Sequence, residues 1–320
     1  VAGLVGAAAV VLVAVATFAG ICWYRLGTVP VQPTGSGSGT TTYLLVGSDA
    51  RTFVSSAADA RTFGTARAAP GQHADVIVLV RVGPGRRLTV LPVPRDLIVS
   101  LPDGTPERIT MTLGTGPQLL VNALCSSLGI GVDHVALIHM DGLRSLVDDV
   151  GGIDVYVDRP ERDLVTGFVA ARPGWNRLDG SQALAYVRAR HLQVLRNGTW
   201  TAASAAADER SGRASTVLTA LGRRLHVGPS DPVQSALRIW ELSGAVSVDG
   251  GANPLVLLRL GDAMARIGAA DRVTLPITVH GGPVPTATID RAGISVLKEF
   301  SAGSPAGCST RIPVEADAAG

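Results

Sequence analysis

The sequence predicts an α/β domain behind an apolar N-terminal segment, on three observations. Short β-rich runs (41–46, 76–82, 88–93, 133–138 and 153–157) alternate with stretches of helical spacing (118–128 and 141–149). Hydrophobic residues make up 46% of the chain and charged residues 17%, enough apolar material for a sizeable core and too much for disorder along the whole chain. Residues Val1 to Trp23 carry no charge at all.

That first run, at 1.5 Å per helical residue, reaches about 33 Å and would cross a bilayer core. Trp23 and Tyr24 then suit the membrane interface, with Arg25 beyond it. Residues 1–25 therefore read as a single-pass anchor in the cell membrane, with the remainder extracytoplasmic. That orientation is expected to depend on a basic leader ahead of Val1. A cleaved signal peptide is the other reading, but its apolar region is shorter. Residues 26–41 contain Pro30, Pro33 and the run from Gly35 to Gly39, and read as a flexible tether.

A formal net charge of +2 and the absence of any lysine-rich run argue against nucleic-acid binding. Lys298 is the only lysine, so arginine carries the basic charge. A guanidinium fork grips two phosphate oxygens at once, which makes the positions of the arginines informative. Of three cysteines, Cys22 lies in the apolar run, while Cys125 and Cys308 lie in the part read as exported. A disulfide is permitted there, although sequence alone does not bring the two together.

The first β-rich run, Thr41 to Val46, ends in Gly47-Ser48-Asp49. His73-Ala74-Asp75 opens the second, and the third closes on Pro94-Arg95-Asp96. Gly83-Pro84-Gly85 joins the second and third as an antiparallel hairpin. If the first run is antiparallel to the second, Asp49, Asp75 and Arg95 gather at one sheet edge. Two carboxylates and an arginine there suit a divalent metal and a phosphate. Taken singly, each is more often an ordinary polar turn residue.

Asp179 is positioned to cap a short helix over 182–186. Arg188 and Arg190 follow, two apart, and project to one side if the segment is extended, forming a pyrophosphate clamp; on a helix they diverge. Residues 192–207 read as an exposed loop. A helix from Asp208 to about Leu225 carries Arg210 and Arg213 on one face, toward either a phosphate or solvent. His134 and His139 flank a strand, where histidine is more often structural than ligating. Beyond, 232–244 and 254–267 have helical spacing, 271–279 and 284–289 read as strands and 294–300 as a short helix. Residues 301–320 read as a disordered tail.

Six of these pieces, in order, resemble the LytR-CpsA-Psr family: residues 44–51, 74–80, 93–96, 133–138, 146–155 and 178–190. They span roughly 42–225, within one catalytic domain expected over 42–300. The resemblance implies a central mixed β-sheet flanked by helices (α/β/α) with an apolar lipid-binding cavity. It also implies transfer of a glycopolymer phosphate from a polyprenyl-pyrophosphate carrier to a peptidoglycan hydroxyl, forming a phosphodiester. On residue-level match, Asp49 and Asp75 would bind Mg²⁺, and Arg95, Arg188, Arg190 and Arg213 would hold the pyrophosphate; Arg210, which shares a helix face with Arg213, is a further pyrophosphate-binding candidate from the spacing alone. Two departures stand out. His73 occupies a position where family members often carry Arg, and can still donate to phosphate. Ala214-Ser215 replaces a usual pair of Gln. A non-catalytic lipid- or polymer-binding protein and a polyprenyl-pyrophosphate pyrophosphatase are the alternatives.

Overall fold

A computed structural model describes residues 2–37, 39–50, 71–203, 207–224, 231–282, 284–305 and 307–309; the side chains of 2–12, 207–211, 232, 234 and 238 are outside the description. Among the described residues the largest sheet has seven strands. In chain order these are β1 (Gly27–Val29), β2 (Thr41–Ser48), β3 (Ala74–Val82), β4 (Leu88–Pro92), β5 (His134–His139), β6 (Val246–Asp249) and β7 (Asp271–Arg272). Their spatial order is β1-β6-β5-β2-β3-β4-β7. β2 is antiparallel to β3 and parallel to β5, and β3 is antiparallel to β4. The sheet is therefore mixed, as expected.

Why these residues form it is clear from β2. Leu44 and Val46 enter one core with Ile77, Leu79 and Leu91. Tyr43 and Leu45 enter another on the opposite face with Val78, Val80 and Val90. Both faces are covered, so the central strands read as unbroken apolar runs rather than alternating ones. Each such Leu or Val contributes about 1.5–3 kcal/mol by leaving water. Helices α2 (Ile109–Thr115) and α3 (Pro117–Leu128) pack on the first face, through Leu113, Leu120 and Leu124 among others.

α4 (Met140–Asp149), α5 (Gly180–Arg188) and α6 (Ala207–Arg224) build a satellite core around Leu146, Ala183 and Val217, and α6 also sends Leu218 to the second face of the sheet. Asp179 caps α5, accepting from Gln182 N at 2.8 Å. Gly180 lets α5 approach α4, because a Cβ there would run into the Arg144 carbonyl. Further helices are α7 (Pro232–Ala245), α8 (Pro254–Ala265) and α9 (Arg291–Phe300). The architecture is a central mixed sheet between helical layers.

Several expectations need correction. The segment read as a flexible tether is fastened down. β1 pairs with β6, Gly35 N donates to Val132 O at 2.8 Å, and Ser36 bonds the Asp133 carboxylate, which also accepts from Thr42 N at 2.7 Å. Residues 192–207 are not all loop: 193–196 and 199–202 form a hairpin whose first strand adds to 161–163. The strand expected over 271–279 is split, and Pro276, which has no N–H to donate, lies between the pieces. Residues 109–115, where no element was expected, are helical. In the tail, Cys308 is disulfide-bonded to Cys125 of α3 and Ser309 N donates to Cys125 O at 3.1 Å, so 307–309 are held; 310–320 lie outside the described residues.

Ala2–Arg25 is a single helix of 24 residues, α1, whose last turns meet α7: Phe18 stacks on Trp240 at 6.3 Å and the Arg25 guanidinium lies 4.0 Å over the same ring. Part of the expected membrane span falls on side chains outside the description. Among the described residues, no helix is long and apolar enough to cross a membrane.

Candidate functional site

The strand directions decide where the chemistry collects. β2 and β5 run parallel, β3 runs against β2, and β4 against β3. The C-terminal ends of β2, β4 and β5 and the N-terminal end of β3 therefore share one edge. Asp49, His73, Asp75, Arg95 and His139 all sit there. The expected convergence of Asp49, Asp75 and Arg95 holds. At the β2–β3 junction the register shifts between Gly47 and Ser48, and Asp49 N donates to His73 O at 3.1 Å.

Asp49 is paired with His73. Its Oδ1 accepts from His73 N at 2.6 Å, and its Oδ2 lies 3.0 Å from His73 Nδ1. Asp75 Oδ1 accepts a short charge-assisted bond from Arg95 Nη1, and Arg190 Nη2 approaches the same oxygen at 3.9 Å. Arg95 Nε lies 3.5 Å from Asp96 Oδ1 and is buried without a hydrogen-bond partner. Arg108 reaches Asp96 from the other side at 3.9 Å. The Asp49 and Asp75 side chains keep 18% and 19% of their surface in solvent, so a ligand can still reach them.

The arginine pair differs from the extended clamp. Arg188 is the last residue of α5, Ala189 is its C-cap, and Arg190 follows outside the helix. The helix ends two residues later than expected, so the two side chains do not project together from a strand. Arg190 still approaches Asp75, at 3.9 Å, and Arg188 lines the pocket that Asp75 also lines. Arg213 is only 7% exposed, and its Nη2 donates to Ala189 O at 2.6 Å while its Nε is buried without a partner. It braces the turn between the other two arginines. The Arg210 side chain lies outside the described residues.

Beside these charges is a narrow pocket between β2, β5, α5 and α6. Leu45, Val46, Ile138, Leu184, Val187 and Val217 are among its apolar walls, and Ser48, Asp75, His139 and Arg188 are its polar members. Its volume is about 50 Å³, room for a few waters and far short of an isoprenoid chain. Ala214 lines it, and Ser215 is buried beside it. Burial pushes the His139 imidazole below its ordinary pKa, against the opposing pull of Asp141. Burial likewise pushes the Tyr186 phenol up to about 12, with Glu161 adding to the shift and Arg213 opposing it. His134 lies at the far edge, 3.3 Å from Asp249, and takes no part.

For a metal, two carboxylates at one edge supply the hard oxygen donors Mg²⁺ prefers, and that ion usually adds water and phosphate oxygens to one or two carboxylates. No cluster of three or more His, Cys, Asp or Glu suited to a metal exists among the described residues. The donor set fits an ion shared with a phosphate rather than a cage made by the protein alone.

With this geometry in hand, the comparisons decide the family. The family model described as the LytR_cpsA_psr family matches residues 28–200, more than half of the chain. The chain belongs to the LytR_cpsA_psr family. It is 31% identical over 192 residues to the "Probable cell wall biosynthesis protein LcpB" of Corynebacterium glutamicum, covering 59% of this chain and 45% of that protein. It is 28% identical over 194 residues to the "Cell wall biosynthesis protein LcpA" of the same organism, covering 50% and 37%. The chain thus spans under half the length of these relatives. Among solved structures, the LytR-Csp2A-Psr enzyme from Actinomyces oris superposes with a TM-score of 0.71 at 29% identity, over 90% of this chain and 98% of that one. TagT bound to LIIa-WTA shares the fold at a TM-score of 0.57 and 19% identity, over 84% and 92%.

Sequence reasoning missed three contributors. Asp96 has no sign in the sequence beyond its place after Arg95, yet it is 4% exposed and lies 3.5 Å from Arg95 Nε. His139, at the end of a strand where histidine is more often structural, lines the pocket. Asp163 carried no motif; its position is seen only once the turn at Arg190 is folded onto it.

Proposed function

We propose that this protein transfers a glycopolymer phosphate from a polyprenyl-pyrophosphate carrier to a hydroxyl of peptidoglycan, forming a phosphodiester. The observation that supports it most is the meeting of Arg95 and Arg190 at Asp75, which lines an apolar pocket together with Arg188. Arg95 Nε is buried without an acceptor, which costs about 1–3 kcal/mol, and a diphosphate at Arg95 would offset that cost.

In this reading Arg95, Arg188 and Arg190 hold the oxygens of the pyrophosphate, and Arg213 holds their turn. The acceptor oxygen attacks the sugar-bearing phosphorus as the bridging P–O bond breaks. Polyprenyl phosphate departs, and the hydroxyl proton passes to the carboxylate of Asp49 or Asp75. Mg²⁺ held by Asp49 and Asp75 would neutralise charge on the transferred phosphoryl group when bound. His73 orients Asp49 through the 3.0 Å contact of its Nδ1, and its Nε2 would donate to phosphate. To admit a lipid chain the narrow pocket must widen, by movement of α5 and α6 away from β2. The Cys125–Cys308 disulfide suits an oxidising, extracytoplasmic setting, and α1 would tether the domain to the cell membrane.

A second reading is favoured by Ala214-Ser215 in place of the usual pair of Gln: a lipid- or polymer-binding protein without transfer activity. The test is an assay of the full chain with a polyprenyl-pyrophosphate-linked sugar and peptidoglycan fragments, with and without Mg²⁺. Release of polyprenyl phosphate together with a sugar phosphodiester supports transfer. Release with free sugar phosphate indicates a pyrophosphatase, and binding without release indicates the second reading.

A further inference from the structure

We infer that Asp163 is a positioning residue for the site: its buried carboxylate fixes the turn that aims Arg190 at Asp75. The inference rests on the proposed function for what the turn serves, but the hold itself is read from geometry.

Asp163 ends the strand 161–163 and is 0% exposed. A fully buried carboxylate is costly unless every lone pair is used. Here each oxygen accepts two backbone N–H groups. Oδ1 takes Val165 N at 2.8 Å and Thr166 N at 3.1 Å, closing the residue's own turn. Oδ2 takes Arg190 N at 2.8 Å and His191 N at 2.7 Å, on a segment 27 and 28 residues away. The carboxylate therefore ties its own turn to the segment that carries Arg190, beside the strand pairing that joins 161–162 to 193–194.

The neighbouring contacts leave the turn little freedom. Ala189, just before it, is 0% exposed, and its carbonyl accepts from Arg213 Nη2 at 2.6 Å. Just after it, Gln193 and Val194 pair with Arg162 and Glu161, the strand that carries Asp163. Between these ties Arg190 projects its guanidinium to within 3.9 Å of Asp75, with its own side chain 53% exposed. An exposed arginine has no packing to orient it, so its backbone must. Bonds to an ionised carboxylate are roughly twice as strong as neutral ones. Asparagine cannot substitute, because its NH₂ group would face two N–H donors.

The experiment combines hydrogen exchange with binding of farnesyl pyrophosphate, a short polyprenyl pyrophosphate, using the full chain. In the unmutated protein the Arg190 and His191 amides should be protected, although both side chains are exposed. Asp163→Asn should speed exchange at those two amides, leave β2 and β3 protected, and weaken farnesyl pyrophosphate binding about 10- to 10²-fold, the range a misplacement near 1 Å produces. Asp249→Asn alters another buried carboxylate that accepts backbone N–H bonds, far from the turn. It should leave the affinity unchanged at a temperature where both variants are folded. Unprotected amides in the unmutated protein would overturn the inference. So would unchanged affinity in Asp163→Asn once its turn has opened, or an equal loss in Asp249→Asn. If the unmutated protein does not bind farnesyl pyrophosphate, the phosphotransfer reading falls, and exchange alone decides whether Asp163 holds the turn.

Discussion

The two edges of the central sheet carry the same kind of pair and use it differently. At one edge His73 Nδ1 meets Asp49 Oδ2 at 3.0 Å; at the other His134 Nδ1 meets Asp249 Oδ2 at 3.3 Å. Asp249 has no exposed side-chain surface and is saturated, accepting also from Val135 N at 2.9 Å and Gly251 N at 3.0 Å. Asp49 keeps part of its surface in water and stands next to Asp75, Arg95 and Arg190. A histidine–carboxylate pair is thus not a functional signal in itself. What separates the edges is the company: saturated backbone partners at one, several incompletely satisfied charges beside a pocket at the other.

Substitutions should break this symmetry in a graded way. The largest effect is expected for Arg95→Ala. Losing a preorganised cation should lower kcat/KM for transfer about 10²–10³-fold, with near-normal thermal unfolding, as measured by a transfer assay beside calorimetry. Next comes removal of the disulfide by Cys125→Ser with Cys308→Ser, expected to cost about 2–5 kcal/mol in denaturant unfolding while sparing kcat/KM at low temperature. Asp249→Ala should cost about 1–3 kcal/mol by stranding buried donors, with transfer intact wherever the protein is folded. An equal selective loss of transfer in Asp249→Ala would erase the distinction between the edges.

Acid titration sharpens the same contrast. Burial raises the Asp249 carboxyl pKa, but the bonds from His134, Val135 and Gly251 outweigh it and hold the group below its ordinary value. A depressed folded-state pKa adds stability above the unfolded pKa of about 3.9, and that stability is lost as pH falls through the folded value. Unfolding free energy should therefore decline on acidification below that point, and less steeply in Asp249→Asn. The smallest effect is expected for Ser36→Ala, at the same edge, about 0.5–1.5 kcal/mol in denaturant unfolding.

Much of the working edge was legible because it depends on strand ends. Asp49, Asp75 and Arg95 flank β-rich runs, and Gly83-Pro84-Gly85 forces a reversal, so alternation and one turn were enough to bring them together. Arg188 was harder, since the end of a short helix shifts by two residues without changing the pattern. The hairpin at 193–202 had a usable sign that went unread: Asn197-Gly198, both at positive φ, flanked by Val194 and Thr199-Trp200-Thr201. The fastened tether and Asp163 had no local sign. Their partners, Val132, Asp133, Arg190 and His191, are distant in sequence, and composition says nothing of such pairings.

The most direct test is a crystal structure of the chain with farnesyl pyrophosphate. The diphosphate should lie within hydrogen-bonding reach of Arg95, Arg188 and Arg190, with the farnesyl chain entering a widened gap between β2, α5 and α6. A diphosphate bound elsewhere, or a farnesyl chain lying outside that gap, would contradict it.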